Sequence, residues 1–355
     1  MPEHLILRYD NFTSVTSPLD PLEDVTTWIA GLNSAEYVSD LLATVHNVRG
    51  ASQIRQATKA VSLFARSALG LLEQAYSGAT EYSFLPLYYA ILNLSKIYLV
   101  ANHRLDDLAK NKWHGATYNP QSKASHDLLT EQISLKVAGV FPMFYETLTG
   151  SRWTHNKKTL QIKEFIPYLR GASFEYSRAY KEESPFQFGR IMVEGQTGEP
   201  GFRLTATLTP SPHPNANSIR HLKSITGLRA DPNAPNTFRS QFVVADSIED
   251  AMQKLTPGIR RFLLYESRIN FLSRSPQGAI MPISNRQLLM VEEIPIWLTF
   301  FYLSNIVRYN PEFIDKLKDS KAWPILLALS KHCVLRFLIL FWSYMHNTEF
   351  YISPL

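Results

Sequence analysis

The chain has 355 residues, 45% of them hydrophobic and 19% charged, with a formal net charge of +5. That is enough apolar material for a sizeable core and excludes global disorder, while the scattered Lys and Arg residues permit a nucleic-acid surface without demanding one. Cys333 is the single cysteine, which excludes an intrachain disulfide framework and a Cys-based zinc site.

In chain order, the N-terminus MPEHLILRYDNF has no basic segment followed by an apolar one, so no signal peptide is expected. Asp20, Pro21 and Leu22-Glu23 predict a helix start with Pro in the first turn. From Ser52 to Tyr76, Ile54, Ala57, Val61, Phe64, Ala68 and Leu71-Leu72 recur at three-to-four spacing, which predicts an amphipathic helix closed by Gly78. Phe84 to Val100 is apolar on nearly all sides and predicts a central, fully packed helix. Alternation over Glu131 to Gly139 predicts a short strand, Val140 to Leu148 a helix, and Lys163 to Leu169 a short helix ending before Gly171.

Composition shifts over 185–246. Residues 190–193, 203–208 and 241–244 read as strands, and the Pro- and Asn-dense stretches TPSPHPNANS and LRADPNAPNT between them as loops. Helix is expected again after about Ser247, with Glu292 to Arg308 nearly all apolar and Asn310-Pro311 breaking the chain. Ile325 to Met345 reads as the only membrane candidate. Lys331, His332 and Arg336 lie near its middle, and a Lys or Arg there costs roughly 2.5–3.5 kcal/mol at a bilayer centre, so a buried helix is expected. Cys333 within this run reads as a buried, inert thiol, in keeping with a reducing, cytoplasmic setting and no membrane partner.

Most catalytic patterns are missing. Neither glycine-rich phosphate loop occurs, nor the G-x-S-x-G elbow, and no two histidines stand one helical turn apart as zinc hydrolases require. No cofactor and no metal are expected. The residues that remain are Trp113-His114-Gly115, with an indole face, a titratable ring and a glycine that allows close approach, and Arg308-Tyr309 with Glu312, where an Arg at a helix end either neutralises carbonyls or clamps an anion. The candidate catalytic residues are thus His114, Arg308 and Arg104, and the candidate binding residues Trp113, Gly115, Tyr118, Tyr309 and Glu312.

LPLYYAILNLSKIYLV followed by WHG, then EQISLKVAGVFPMFYETL, and later IPIWLTFFYLSNIVRYNPEFIDKL, resemble the bacterial YaaC-like family. His114-Gly115, Gly139 to Phe141 and Arg308-Tyr309 to Glu312 follow that family's order. Tyr88-Tyr89-Ala90 with Lys96 is also similar to the second helix of HEPN domains, which recur in bacterial toxin and antiphage systems. HEPN ribonucleases place an Arg five to seven residues before a His so that both meet the reacting phosphate. No histidine here has such an Arg. The elements read along the chain predict a mainly α fold, α+β overall, with a helical region in residues 1–184, a β- and loop-rich insertion in 185–246 and a helical region in 247–355 completing the same domain; the resemblances, which cover about 80–150 and 290–320, imply that the helical core is HEPN-like. They imply a cytoplasmic binding or regulatory protein in a defence or toxin-type system, with a protein partner or homo-oligomer and, more loosely, nucleic acid. The alternatives are a ribonuclease built on His114 and a distant Arg, and a structural oligomer-forming subunit.

Overall fold

The computed structural model describes residues 11–17, 20–119, 128–150, 152–153, 159–182, 187–195, 201–208, 216–245, 250, 254–256, 259, 267–269, 278–280 and 291–354. The fold is mainly α. Helix α1 (Pro21–Ala30) starts where Asp20 accepts a hydrogen bond from the Leu22 backbone N–H at 2.8 Å, with Pro21 in its first turn. Helix α2 (Ala35–Thr44) is capped in the same way by Ser34. Helix α3 (Ala51–Ser77) ends at Gly78 and buries a stripe of small residues, among them Ala57, Ala65, Ala68 and Ala75. Small side chains let two helix backbones approach closely, and α3 lies along α4 (Thr80–Ala101). Helix α4 is buried on nearly every side, which is why its sequence shows little amphipathic contrast.

Helix α5 (Leu105–Lys110), strands β2 (Ala116–Asn119) and β3 (Gln132–Leu135), helix α6 (Val140–Thr149), strand β4 (Thr159–Gln161) and helix α7 (Ser173–Tyr180) follow. The order β2-β3-β4 is one small antiparallel sheet. The 162–168 stretch forms two short 3₁₀ turns. Strands β5 (Gln187–Gly195) and β6 (Phe202–Leu208), helix α8 (Ala216–Ser224), and strands β7 (Leu228–Ala230), β8 (Thr237–Ser240), β9 (Ser267–Ile269) and β10 (Gly278–Ile280) build a second sheet in the order β7-β8-β6-β5-β10-β9. Leu204, Leu208, Leu222, Leu228, Phe238, Leu255 and Ile259 form a core of its own, distinct from that of the helical body. The sheet takes strands from beyond residue 246, as far as Ile280.

Two local expectations are corrected here. LRADPNAPNT is not a plain loop: Leu228–Ala230 and Thr237–Ser240 pair antiparallel around it, joined across the hairpin by the Arg239–Asp231 ion pair. Residues 241–244 are not a strand but make one bridge, Phe202 to Val243. Of TPSPHPNANS, residues 209–215 lie outside the described residues, and Ala216 onward begins α8.

The last part of the chain returns to the helical body as α9 (Glu293–Tyr309), α10 (Pro311–Lys318), α11 (Trp323–Ala328), a π-helical turn (Leu329–Cys333), α12 (Val334–His346) and β11 (Thr348–Pro354). Strand β11 pairs in parallel with β1 (Asn11–Ser17), so the two ends of the described chain are joined. Arg336 Nε donates to both carboxylate oxygens of Glu292 at 3.0 Å in the core. A buried ion pair of this kind loses several kcal/mol if one partner is removed, about 3–5 in measured cases. Thr80–Ala101 and Trp323–His346 are both long and apolar enough to cross a membrane by length and composition, so the C-terminal run is not the sole candidate. In this fold 72% and 78% of the most apolar 18-residue stretch of each is buried. Burial also pushes the Cys333 thiol well up, away from the reactive thiolate form.

Candidate functional site

The Trp113-His114-Gly115 turn is built by helix α6. The α6 N-terminus leaves backbone N–H groups without intrahelical partners. The Val140 N–H donates to the Trp113 carbonyl at 2.8 Å and the Phe141 N–H to the His114 carbonyl at 2.9 Å. Lys136 N–H donates to the Gly115 carbonyl, tying in β3. Such close contact leaves no room for side chains. Gly115 has φ +85°, and a Cβ there would sit 2.5 Å from Pro142 Cδ; a Cβ on Gly139, φ +129°, would sit 2.5 Å from Gly115 Cα. Gly115 therefore sets the backbone that aims His114, through packing against Gly139 and α6, and does not need a ligand to explain it.

His114 points its ring at α4 and α9. Its Nδ1 lies 2.6 Å from the Tyr88 hydroxyl, and its ring packs on Tyr88 at 5.5 Å, Tyr89 at 6.0 Å and Phe301 at 6.2 Å between centroids. Tyr88 is itself held by Trp297 and Phe301, edge-on at 5.5 Å each. Burial holds the Tyr88 hydroxyl far above the usual phenol range, so it stays protonated. A separation of 2.6 Å is short for an N–H donor and ordinary for an O–H donor. We assign Tyr88 as donor and His114 Nδ1 as acceptor, which places the neutral ring's proton on Nε2. Among the described residues Nε2 has no hydrogen-bond partner.

The charges acting on His114 are both positive. Burial lowers its pKa first, then Lys96, then Arg308. Lys96 sits on the half-exposed stripe of α4 that carries Tyr89 and Asn93; burial lowers its own pKa, and its ammonium lies 5.2 Å above the Phe64 ring. Arg308, exposed at the last turn of α9, donates to the Tyr89 hydroxyl at 3.3 Å. The two residues that sequence spacing could not connect thus meet on the Tyr88-Tyr89 pair.

The other expected positions fall elsewhere or at the margin. Arg104 is engaged by Glu146 at 2.8 Å, Asp107 at 3.2 Å and the Met143 carbonyl, so it clamps α5 to α6. Tyr118 donates to the buried Glu131 at 2.8 Å and packs on Tyr302 at 5.6 Å; burial first, and then the Glu131 carboxylate, raises its pKa. Glu312 is exposed in the first turn of α10. Trp113 and Tyr309 are 65% and 67% exposed. The sequence reading left Tyr88, Tyr89 and Lys96 out of the site. A usable signal was present: positions 89, 93 and 96 share one helix face, and a Tyr, Asn and Lys stand there on an otherwise greasy helix. Among the described residues no three His, Cys, Asp or Glu side chains group to hold a metal.

A family model described as YaaC-like Protein matches residues 31–345. The chain belongs to the YaaC-like family, and the match spans both the helical body and the β-rich segment. No curated protein and no solved structure matches it.

Proposed function

We propose that this YaaC-like chain is a binding protein whose His114 centre receives an anion of the phosphate class. The observation that carries the reading is that His114 and Arg308 meet on the Tyr88-Tyr89 pair from two elements, with Lys96 on the same α4 stripe near enough to act on the charge of His114. Like charges placed together repel one another and lower each other's affinity for protons, and an anion among them removes that cost. Two cations and a neutral N–H donor, with a phenol hydroxyl beside them, supply donors for phosphate oxygens. Tyr88 supports both charge states of His114. It donates to the neutral ring, and its hydroxyl accepts from Nδ1–H when an anion draws a second proton onto the ring.

A ribonuclease reading has one observation in its favour: His114 and Arg308 are brought together, and a lowered pKa keeps His114 neutral near pH 7. A general base, however, needs a free lone pair facing the substrate. Tyr88 takes the Nδ1 lone pair, and the assigned proton fills Nε2. The binding reading is tested by titrating the purified protein with inorganic phosphate while following the His114 ring by NMR. Binding that raises the His114 pKa, and that weakens in Arg308→Ala, supports it. Cleavage of RNA that disappears in His114→Ala overturns it in favour of the ribonuclease.

A further inference from the structure

We propose that the ligand of this centre is a nucleotide, with its base stacked on the exposed rings of Trp113 and Tyr309; this rests on the anion reading above. Trp and Tyr, with an apolar ring and a polar edge, are enriched at contact surfaces. Only a few large apolar side chains among the described residues are as exposed as these two. Trp113 is the residue before His114, and Tyr309 is the residue after Arg308. The backbone of Trp113 is fixed, its carbonyl taken by the Val140 N–H, so its indole projects from an anchored turn. Tyr309 is placed by the Arg308 guanidinium, 5.4 Å from its ring centroid, while the same guanidinium reaches Tyr89.

Donors for a phosphate and exposed π faces for a base are thus carried on neighbouring residues, Trp113 beside His114 and Tyr309 beside Arg308. Stacking needs no particular base edge, so the expected ligand class is defined by phosphate plus any aromatic base. A free sugar phosphate or an inorganic anion would use only the first half. The side-chain amide of Asn93, on the α4 stripe between Tyr89 and Lys96, donates to the Tyr89 carbonyl, so it contributes to the frame more than to base reading.

The experiment compares inorganic phosphate, ribose 5-phosphate, AMP and a 5′-phosphorylated pentanucleotide, each titrated calorimetrically into the full chain. AMP is expected to bind roughly 5- to 150-fold more tightly than ribose 5-phosphate, the range that follows from roughly 1–3 kcal/mol per stacked base. Trp113→Ala and Tyr309→Ala, both at exposed positions, are expected to erase that gain while leaving the affinity for ribose 5-phosphate in place. Equal binding of AMP and ribose 5-phosphate, or a base preference that survives both substitutions, overturns the stacking proposal and leaves the anion reading standing. Failure of phosphate, ribose 5-phosphate and AMP alike to bind overturns both. A pentanucleotide that binds more tightly than AMP supports the proposal with a single strand as the source of the nucleotide, and one that binds more weakly supports it with a free nucleotide.

Discussion

Two tyrosine–histidine pairs join distant segments of this fold, and they differ in what surrounds them. Tyr88 and His114 meet at 2.6 Å between α4 and the turn before β2; Tyr37 and His346 meet at 2.9 Å between α2 and the end of α12. In the second pair the His346 ring packs on Trp342 and Phe350 as well as Tyr37, and the charge acting on His346 beyond burial is His46. His46 in turn bonds the Met345 carbonyl, so this centre fastens the C-terminal helix to the α2 end of the body. Around the first pair, Arg308 reaches the half-exposed Tyr89, Lys96 stands on the same α4 stripe, and the exposed Trp113 precedes His114 in the chain. A hydrogen-bonded histidine is thus no site by itself. The cations Lys96 and Arg308 that act on His114 distinguish the candidate site from the fastening, where the neighbouring charge is another histidine.

Substitutions at the two pairs should differ in size and kind of effect. The largest effect is expected at the frame of the first pair. Gly139→Ala forces a Cβ against the Gly115 backbone at positive φ, and should cost on the order of 2–4 kcal/mol in a denaturation midpoint experiment. A change under 0.5 kcal/mol would show that the turn is slack and that His114 is not held in place. Next, Tyr88→Phe removes the donor to His114 Nδ1. It should cost about 1–2 kcal/mol of stability and shift the ring toward the other tautomer, as seen in ring-nitrogen chemical shifts. An unchanged tautomer would contradict the assigned direction of that bond.

Arg308→Ala separates function from folding. The side chain is exposed and its removal should leave stability within about 0.5 kcal/mol. Phosphate affinity should fall roughly tenfold, as expected for a charge-assisted donor worth about 1.5 kcal/mol. The same substitution removes one of the cations that depress His114, so its pKa should rise in the free protein. At the second pair, Tyr37→Phe should cost less than about 1 kcal/mol and leave phosphate affinity unchanged. His346 also gives that pair a pH signature. Its folded pKa is lowered to about 4 from an ordinary 6.5, so the folded state holds it neutral while the unfolded chain takes up a proton. The stability this provides is complete above about pH 6.5 and is lost as pH falls toward 4. His346→Gln should flatten the acid limb of a stability profile, and an unchanged limb would mean that other groups carry it.

Much of the fold was legible because it is local. The stripe in α3, the all-apolar faces of α4 and α9, and the Asp20-Pro21 start are fixed by residues within a few turns of one another. What escaped is non-local or masked by composition. The parallel pairing of β1 with β11 joins opposite ends of the chain and leaves no periodic trace in either. The β7–β8 hairpin hides in a Pro- and Asn-rich stretch because its strands are short and its turn is long. The Glu292 partner of Arg336 could not be read from the apolar run that contains only one of the two. At the site, His114 and Arg308 could be named from their chemistry, but which Arg faced the histidine was a tertiary fact. Arg104, closer in sequence, is taken by Glu146 and Asp107.

Anion binding at this centre depends on the protonation and surroundings of one ring, so the most direct test is a long-range ¹H–¹⁵N NMR titration of His114 with and without inorganic phosphate. The expected result is the Nε2–H tautomer in the free protein, a pKa below the ordinary 6.5, and a rise in that pKa when phosphate is added. An Nδ1–H tautomer, together with a pKa that phosphate leaves unmoved, would contradict it.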